Sequence, residues 1–237
     1  MLARRSPSLA RRLQAISVAT VCALGIVDCS TFPSRDGTLD GFMAYGMLPV
    51  RTVTLGEIMS GATGTYIDRL LADRDSTLER WPDRADRPLR VWIDSSDMIT
   101  GVQAAFPTAV RAAFAEWIAA GVPIRLAFVN SEREANIRVR WTDRLTKKTG
   151  STTWRTDRFG NLISGDITLA THISDGFPLD ERGMRAIALH EVGHALGLSH
   201  STDARDEMAP LVRVDSLSNS DRGTIKLLYS LPAGHVR

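Results

Sequence analysis

One stretch of eleven residues constrains this chain more than any other. It runs from His190 to His200 and reads H-E-V-G-H-A-L-G-L-S-H. His190 and His194 are four residues apart, so on a helix they share one face, with Cβ atoms about 5–6 Å apart. Two imidazole nitrogens at that separation can bind one zinc ion through bonds of about 2.0–2.1 Å. Gly197 tolerates the left-handed conformation that ends helices, and the chain can then return His200 as a third ligand.

Glu191 directly follows the first histidine, which places its carboxylate beside the metal, where it can accept a proton from water. Three protein ligands leave a fourth coordination position open, as in catalytic zinc sites. A helix with two exposed histidines would also match a bare H-E-x-x-H, but the longer motif fixes five positions. The sequence therefore predicts one catalytic Zn²⁺ ion held by His190, His194 and His200, with Glu191 as the general base.

Charge and cysteine content exclude several other classes of protein. The net charge of the 237 residues is +2, and many arginines alternate with acids. This pattern is typical of a solvated surface and gives no reason to expect nucleic acid as a partner. Both cysteines, Cys22 and Cys29, lie near the N-terminus. We therefore expect no disulfide and no thiolate zinc ligand in the folded part.

Residues 1–29 resemble a targeting segment, with a basic start and an apolar run from Leu13 to Val27. This predicts an exported protein, either secreted or held in the cell envelope. Cys29 could instead carry a lipid, although Asp28 replaces the small residue that such signals use, and lipid at Cys29 would be the one link to a membrane. An organelle transit peptide or an unstructured tail are further alternatives.

The rest of the chain divides at Pro88. Residues 30–86 are rich in Gly, Ser, Thr and Asp, and they could be a linker, a pro-segment or a wrap over the following domain. We expect a short helix between Tyr66 and Ala72 within them. Residues 87–231 form the predicted domain and 232–237 a tail.

Within the domain, apolar spacing predicts a strand, a helix, a run of strands and two helices that flank the metal motif. The expected strands are 89–94, 124–129, 136–141, 151–155 and 162–170. The expected helices are 107–119, one from Asp180 through His194, and one that begins after Ser218. This order indicates an α+β domain in which the metal helix packs beneath a mixed sheet.

The motif and its surroundings resemble the metzincin zinc peptidases, and the matrixin branch in particular. Met208 follows the third histidine at the interval of the family's methionine turn, and Ser201 is the residue type that marks matrixins. Asp221 is similar to the acid of the last matrixin helix that braces this turn. The resemblance covers roughly Leu89 to Leu231 and implies a twisted mixed sheet of five strands with three helices.

The resemblance also implies how substrate would bind. The strand at 151–155 would be the edge strand above the cleft, where a peptide can add as a further strand. Thr152, Thr153 and Trp154 on this strand and Pro210 after the methionine turn become candidate pocket residues. Met208 would form an apolar floor under the zinc. The implied partner is a peptide or protein substrate, and we expect a monomer.

Several matrixin features are missing. The second, structural zinc of animal matrixins has no ligand set, because its region offers only His172, with Asp166 and Asp175 nearby. The family tyrosine that lines the pocket is Val212 here, and the zinc-blocking cysteine of the pro-segment is absent. Ca²⁺ is possible from the family, but no clear ligand set supports it.

The sequence therefore predicts a zinc-dependent endopeptidase. Two alternatives remain open. The first is an exported peptide- or protein-binding module that keeps the peptidase scaffold without turnover. The second is a structural zinc site completed by a fourth ligand such as Asp203 or Asp206.

Overall fold

A computed structural model describes residues 53–84, 87–96, 99 and 101–237. The expected targeting segment and the possible lipid site at Cys29 lie outside these residues. In the part that is described, no helix has the length and apolar character needed to cross a membrane.

The described elements comprise five helices and seven strands. In chain order they are α1 (Leu55–Ser60), α2 (Ile67–Asp73), β1 (Thr77–Leu78), β2 (Leu89–Ile93), α3 (Phe106–Ala119), β3 (Leu126–Val129), β4 (Ile137–Thr142), β5 (Gly150–Thr156), β6 (Leu162–Ala170), α4 (Glu181–Ala195), α5 (Asn219–Ser230) and β7 (Gly234–His235).

The main sheet has five strands in the order β3-β2-β4-β6-β5. The first four are parallel to one another, and β5 runs antiparallel to β6 at one edge. Side chains alternate along β4, where Ile137, Val139 and Trp141 are buried. This alternation turns one face of the sheet toward the helices. The mixed five-stranded sheet predicted from the sequence is confirmed.

Helices α3 and α4 pack against each other and form the base of the domain. Pro107 lies in the first turn of α3, where its missing N–H costs no hydrogen bond. The indole of Trp117 on α3 donates a hydrogen bond of 2.8 Å to the carbonyl of Leu189 on α4. Asp180 caps α4 by accepting from the Gly183 N–H at 2.7 Å. The C-terminal half of α4 is buried from all sides, so its histidines lie inside the protein.

Helix α5 begins with a capping box in which Ser218 and Asp221 satisfy each other's backbone N–H groups. It confirms the last predicted helix. Two shorter helices, α1 and α2, precede the domain; α2 was expected and α1 was not. The two-stranded pair β1–β7, which joins residues 77–78 to the C-terminal tail, was also not predicted.

Candidate metal centre

Three imidazole rings converge where α4 ends. The Nε2 atom of His194 lies 3.1 Å from that of His190 and 3.2 Å from that of His200. His190 and His194 are completely buried on α4, and His200 is partly exposed. Gly197 makes the return possible: its φ of 110° lies in the left-handed region that glycine tolerates. The spacing argument thus identified the three histidines that the fold brings together.

Hydrogen bonds fix which nitrogen of each buried ring faces inward. The Nδ1 of His190 contacts the Glu207 carbonyl at 2.8 Å, and the Nδ1 of His194 contacts the Leu198 carbonyl at 2.9 Å. A carbonyl can only accept, so each Nδ1 must carry the hydrogen and each neutral ring leaves a lone pair on Nε2. Such second-shell bonds are typical of metal-binding histidines.

Burial keeps these rings in the neutral form that binds metals. Desolvation, and then the neighbouring His200, lowers the pKa of His190 to about 3. Desolvation also holds the pKa of His194 well below its usual value, with His190 and His200 acting in the same direction. Both rings are therefore unprotonated at neutral pH, as a zinc ligand must be.

The geometry fits a zinc ion. Nitrogens bound to one tetrahedral zinc at about 2.0–2.1 Å lie roughly 3.3 Å apart, close to the separations of 3.1 and 3.2 Å. Two Nε2 lone pairs this close repel each other unless a cation lies between them. The three histidines are the one group of three or more metal-ligating side chains found in the described residues.

Glu191 is also completely buried, and its carboxylate faces the edge strand β5. The hydroxyl of Thr152 donates to Glu191 Oε2 at 2.6 Å, and the Glu191 carbonyl is a second acceptor for the same hydrogen at 3.0 Å. A Cβ added at Gly150 would fall 2.3 Å from Glu191 Oε1. Gly150 therefore leaves the space that the carboxylate occupies, and Thr152 fixes its orientation.

The turn around Met208 packs beneath the metal centre and is hydrogen-bonded to the loop that carries His200. Met208 is fully buried, and its sulfur lies against Gly193 of α4, where an added Cβ would approach to 2.4 Å. Asp221 of α5 accepts hydrogen bonds from the N–H groups of Glu207 at 2.8 Å and Met208 at 3.4 Å. Ser201 joins the loop to the same turn through the Met208 carbonyl at 2.8 Å. Met208 thus contributes packing at the site.

The four candidate pocket residues differ in position. Thr153 and Pro210 are exposed. Thr152 is buried against Glu191, and Trp154 is buried with its indole donating to Glu79 at 2.8 Å. Contact of these residues with substrate stays a prediction.

The candidate fourth ligands are engaged elsewhere. Asp203 forms an exposed pair with Arg205, and Asp206 accepts a hydrogen bond from the Ser201 hydroxyl. Neither belongs to the group of metal-ligating side chains. His172 pairs with Asp143 at 2.9 Å. These positions favour a metal site with three protein ligands.

Sequence reasoning missed three features of the centre. Gly150 and Thr152 were not assigned to Glu191, and Arg74, whose guanidinium donates to the Leu198 carbonyl at 3.1 Å, was not assigned at all. A glycine and a threonine on a strand and an arginine just after a short helix carry no local signal of such contacts. Only the tertiary fold joins them to the motif.

Comparisons with known proteins agree with this geometry. A protein-family model described as matrixin matches residues 90–230. The chain is also similar to metalloendoproteinase 1 of Glycine max, with 35% identity over 74 residues. That alignment covers 30% of this chain and 22% of the relative, so the chain spans well under half the length of the relative that it matches.

Proposed function

The chain belongs to the matrixin family, and from this premise we propose that it is a zinc-dependent endopeptidase acting on extended polypeptides. The observation that carries the proposal is the convergence of three Nε2 atoms, with that of His194 lying 3.1 Å from that of His190 and 3.2 Å from that of His200, on and just after the helix that buries the carboxylate of Glu191. A helix built only for packing gains nothing from two desolvated imidazoles and a desolvated acid.

His190, His194 and His200 hold the zinc through their Nε2 atoms. The ion supplies Lewis-acid chemistry toward a peptide carbonyl and a water molecule when bound. The backbone carbonyls of Glu207 and Leu198 keep two of the rings aimed at one point. Three histidines as the protein ligands would be typical of a catalytic rather than a structural zinc site.

Glu191 acts as general base. Its carboxylate accepts the proton of the attacking water and then delivers that proton to the amine that leaves. The Thr152 hydroxyl donates a hydrogen bond to Oε2 of Glu191. The strand at Gly150 packs against Oε1, so the carboxylate cannot rotate. The base is thus positioned before substrate arrives.

The substrate binds along β5. This strand pairs with β6 on one side and forms the edge of the five-stranded sheet. An edge strand can hydrogen-bond an extended peptide through its backbone, with little dependence on the peptide's sequence. Thr153, exposed on this strand, and Pro210 are the residues from which we expect side-chain selectivity.

Cleavage of a mixed peptide library by the purified chain, read by mass spectrometry, tests the proposal. We expect cleavage that a chelator abolishes and added zinc restores. Glu191→Ala should keep its zinc but lose about 10²–10⁴-fold in kcat/KM. Glu181→Ala, on an exposed residue in the first turn of the same helix, is the matched control. Wild-type cleavage by Glu191→Ala would show that Glu191 is not the base.

The same experiment tests the alternative functions. Peptide binding without cleavage by zinc-loaded protein would indicate a binding module. Cleavage that is unaffected by removal of the zinc would indicate a structural ion. Export, with or without lipid at Cys29, a monomeric state and bound Ca²⁺ are separate proposals, and cell fractionation with mass measurement of the mature chain tests the first of them.

A further inference from the structure

Residues 53–84 lie before the part of the chain that matches the family, yet they contact the metal centre. We propose that residues 66–81 form a permanent brace of this centre. In this brace, Arg74 and Tyr66 are positioning residues that act through the backbone carbonyls holding the rings of His194 and His190. The inference builds on the zinc site of the proposed function, and it assigns to this segment a role distinct from linker or inhibitory pro-segment.

The first chain of contacts runs through Arg74 to His194. The Arg74 Nη2 donates to the Leu198 carbonyl at 3.1 Å, and the same carbonyl accepts from His194 Nδ1 at 2.9 Å. A carbonyl oxygen has two lone pairs and can accept both bonds. The guanidinium thus fixes the atom that sets the orientation of the His194 ring.

Arg74 is held rigidly enough to do this. Only 6% of its side chain is exposed, and its Nη1 is paired with Glu79 at 2.8 Å. Its Nε donates to the Ser199 hydroxyl at 3.3 Å, and the guanidinium lies 4.6 Å from the centre of the Trp154 ring. A buried charge is tolerated only when it is paired and hydrogen-bonded. These partners fix the guanidinium between the histidine loop and β5.

The second chain runs through Tyr66 to His190. The buried hydroxyl of Tyr66 donates to Asp221 Oδ1 at 2.9 Å. The other oxygen of Asp221 accepts from the Glu207 N–H at 2.8 Å, and the Glu207 carbonyl accepts from His190 Nδ1 at 2.8 Å. Removing the tyrosine hydroxyl leaves Asp221 with one partner fewer in a buried position. The consequence reaches the His190 ring through the backbone of one residue, Glu207.

Backbone packing joins the brace to the motif at a third point. The Glu79 carbonyl lies so close to Gly197 that an added Cβ at Gly197 would fall 2.3 Å from its oxygen. The indole of Trp81 donates to the carbonyl of Ala195, the last residue of α4, at 2.8 Å. The brace therefore satisfies groups at the helix end that would otherwise be buried without partners.

These contacts also explain why the segment is permanent. They reach the Nδ1 side of the rings, opposite to the Nε2 atoms that bind metal. Ile67, Leu70 and Trp81 of the brace are completely buried in the same core as α4. A pro-segment that is removed must leave a stable protein behind. Loss of the brace would instead expose that core and remove hydrogen-bond donors from two carbonyls and one carboxylate.

The test measures zinc affinity by competition with a chromophoric chelator, in full-length protein that circular dichroism shows to be folded. Tyr66→Phe removes one oxygen and keeps the packing; Arg74→Met removes the donors and keeps most of the stem. Second-shell changes typically cost 10–100-fold in metal affinity, and we expect about tenfold for each variant. Arg69→Met is the control, because Arg69 lies on the helix that ends just before Arg74, half exposed and paired with Asp73.

The absorption spectrum of the cobalt-substituted protein provides a second readout, since it reports ligand geometry. A shifted spectrum in Tyr66→Phe supports the proposal, whereas zinc affinity within twofold of wild type and an unchanged spectrum in this folded variant overturn it. The result is independent of cleavage, so a zinc-binding wild type that cuts no peptide would refute the proposed function and leave the brace testable. Activity that arises only after loss of residues 53–84 would also overturn the brace.

Discussion

The backbone and the side chain of Glu207 have opposite effects: the backbone supports the metal centre, whereas the buried side chain costs stability. Its carbonyl accepts from His190, while neither carboxyl oxygen has a hydrogen-bond partner among the described residues. Burial, and then the charges of Asp221 and Glu116, raises the pKa of Glu207 to about 10. The side chain is therefore neutral in the folded protein at neutral pH.

This shift predicts a pH-dependent cost. In the unfolded chain a Glu ionises near pH 4.3, so between that pH and about 10 folding must bind a proton. The contribution of this raised pKa to the free energy of unfolding is fully present below the unfolded pKa of Glu, and it is lost as pH rises toward the folded pKa of about 10. The side chain in Glu207→Gln cannot ionise. As pH rises, we therefore expect the free energy of unfolding of the variant to increase relative to that of wild type by up to about 1.4 kcal/mol per pH unit. Denaturant unfolding at pH 5, 7 and 9 at fixed zinc measures this.

Glu181→Gln serves as comparison, since it removes a carboxylate that is exposed rather than buried. Histidine titration is common to wild type and variant and cancels in their difference. A difference between wild type and Glu207→Gln that stays constant from pH 5 to pH 9 would show that Glu207 is ionised in the fold.

For individual residues, the sequence predicted the contacts between side chains that are close together in the chain. The spacing of His190, His194 and His200 fixes their geometry because they lie on one helix and the turn after it. Thr152 meets Glu191 across 39 residues, and Arg74 meets Leu198 across 124. Contacts of that range depend on how strands and helices pack, which the pattern of residue types around each partner does not encode.

Among the elements, strand β5 has two roles, one at its outer edge and one on its inner face. Its outer edge is where we propose that substrate binds, and its inner face holds Glu191. The second role requires glycine at 150, because an added Cβ would lie 2.6 Å from Glu191 Cγ as well as 2.3 Å from Oε1. The carboxylate has no room to retreat, since Thr152 holds it from the same strand.

Gly150→Ala should therefore displace the base and leave the histidines in place. We expect zinc to remain bound and kcat to fall by about tenfold or more, toward the range seen for loss of a general base. Gly165→Ala on the paired strand is the matched control, because its added Cβ would meet Ile137 at an ordinary 3.6 Å. Equal kcat values for the two variants, in steady-state peptide assays, would show that Glu191 tolerates the displacement.

Element boundaries could be predicted where apolar periodicity is strong. The sequence placed β6 at 162–170, as observed, and α4 within a residue at each end. Helix α1 was missed although Thr54 and Glu57 form a capping box, since six residues offer too short a period to detect. Strands β1 and β7 contain two residues each and exist only because they pair with each other.

For the whole molecule, the two ends of the described chain are fastened together. The N–H of Arg237 donates to the Val53 carbonyl at 3.1 Å, and the N–H of Leu55 donates to the Arg237 carbonyl at 2.9 Å. Val236 is 6% exposed and belongs to the main core. The N–H of Val236 also donates to the Ser76 carbonyl at 2.8 Å, so the tail contacts the proposed brace as well as the start of the described chain.

Val236→Ala should loosen this fastening. Loss of two buried methyl groups costs about 2 kcal/mol, and we expect faster proteolysis within residues 53–84 than elsewhere, because local opening starts where contacts are fewest. His235→Ala is the control, since that side chain is exposed and its backbone pairing with Thr77 is kept. Equal cleavage of both variants in timed limited proteolysis would contradict a fastening role for the tail.

The pairing of β1 with β7 also sets an order of events during synthesis. Residues 77–78 leave the ribosome early, and their partners at 234–235 follow roughly 160 residues later, so the pair closes one of the longest loops in the chain and forms late. The histidine motif emerges between the two. A nascent chain therefore presents its three histidines before the proposed brace is joined to the tail, and we expect the metal to be captured tightly only after residues 234–235 have been synthesised.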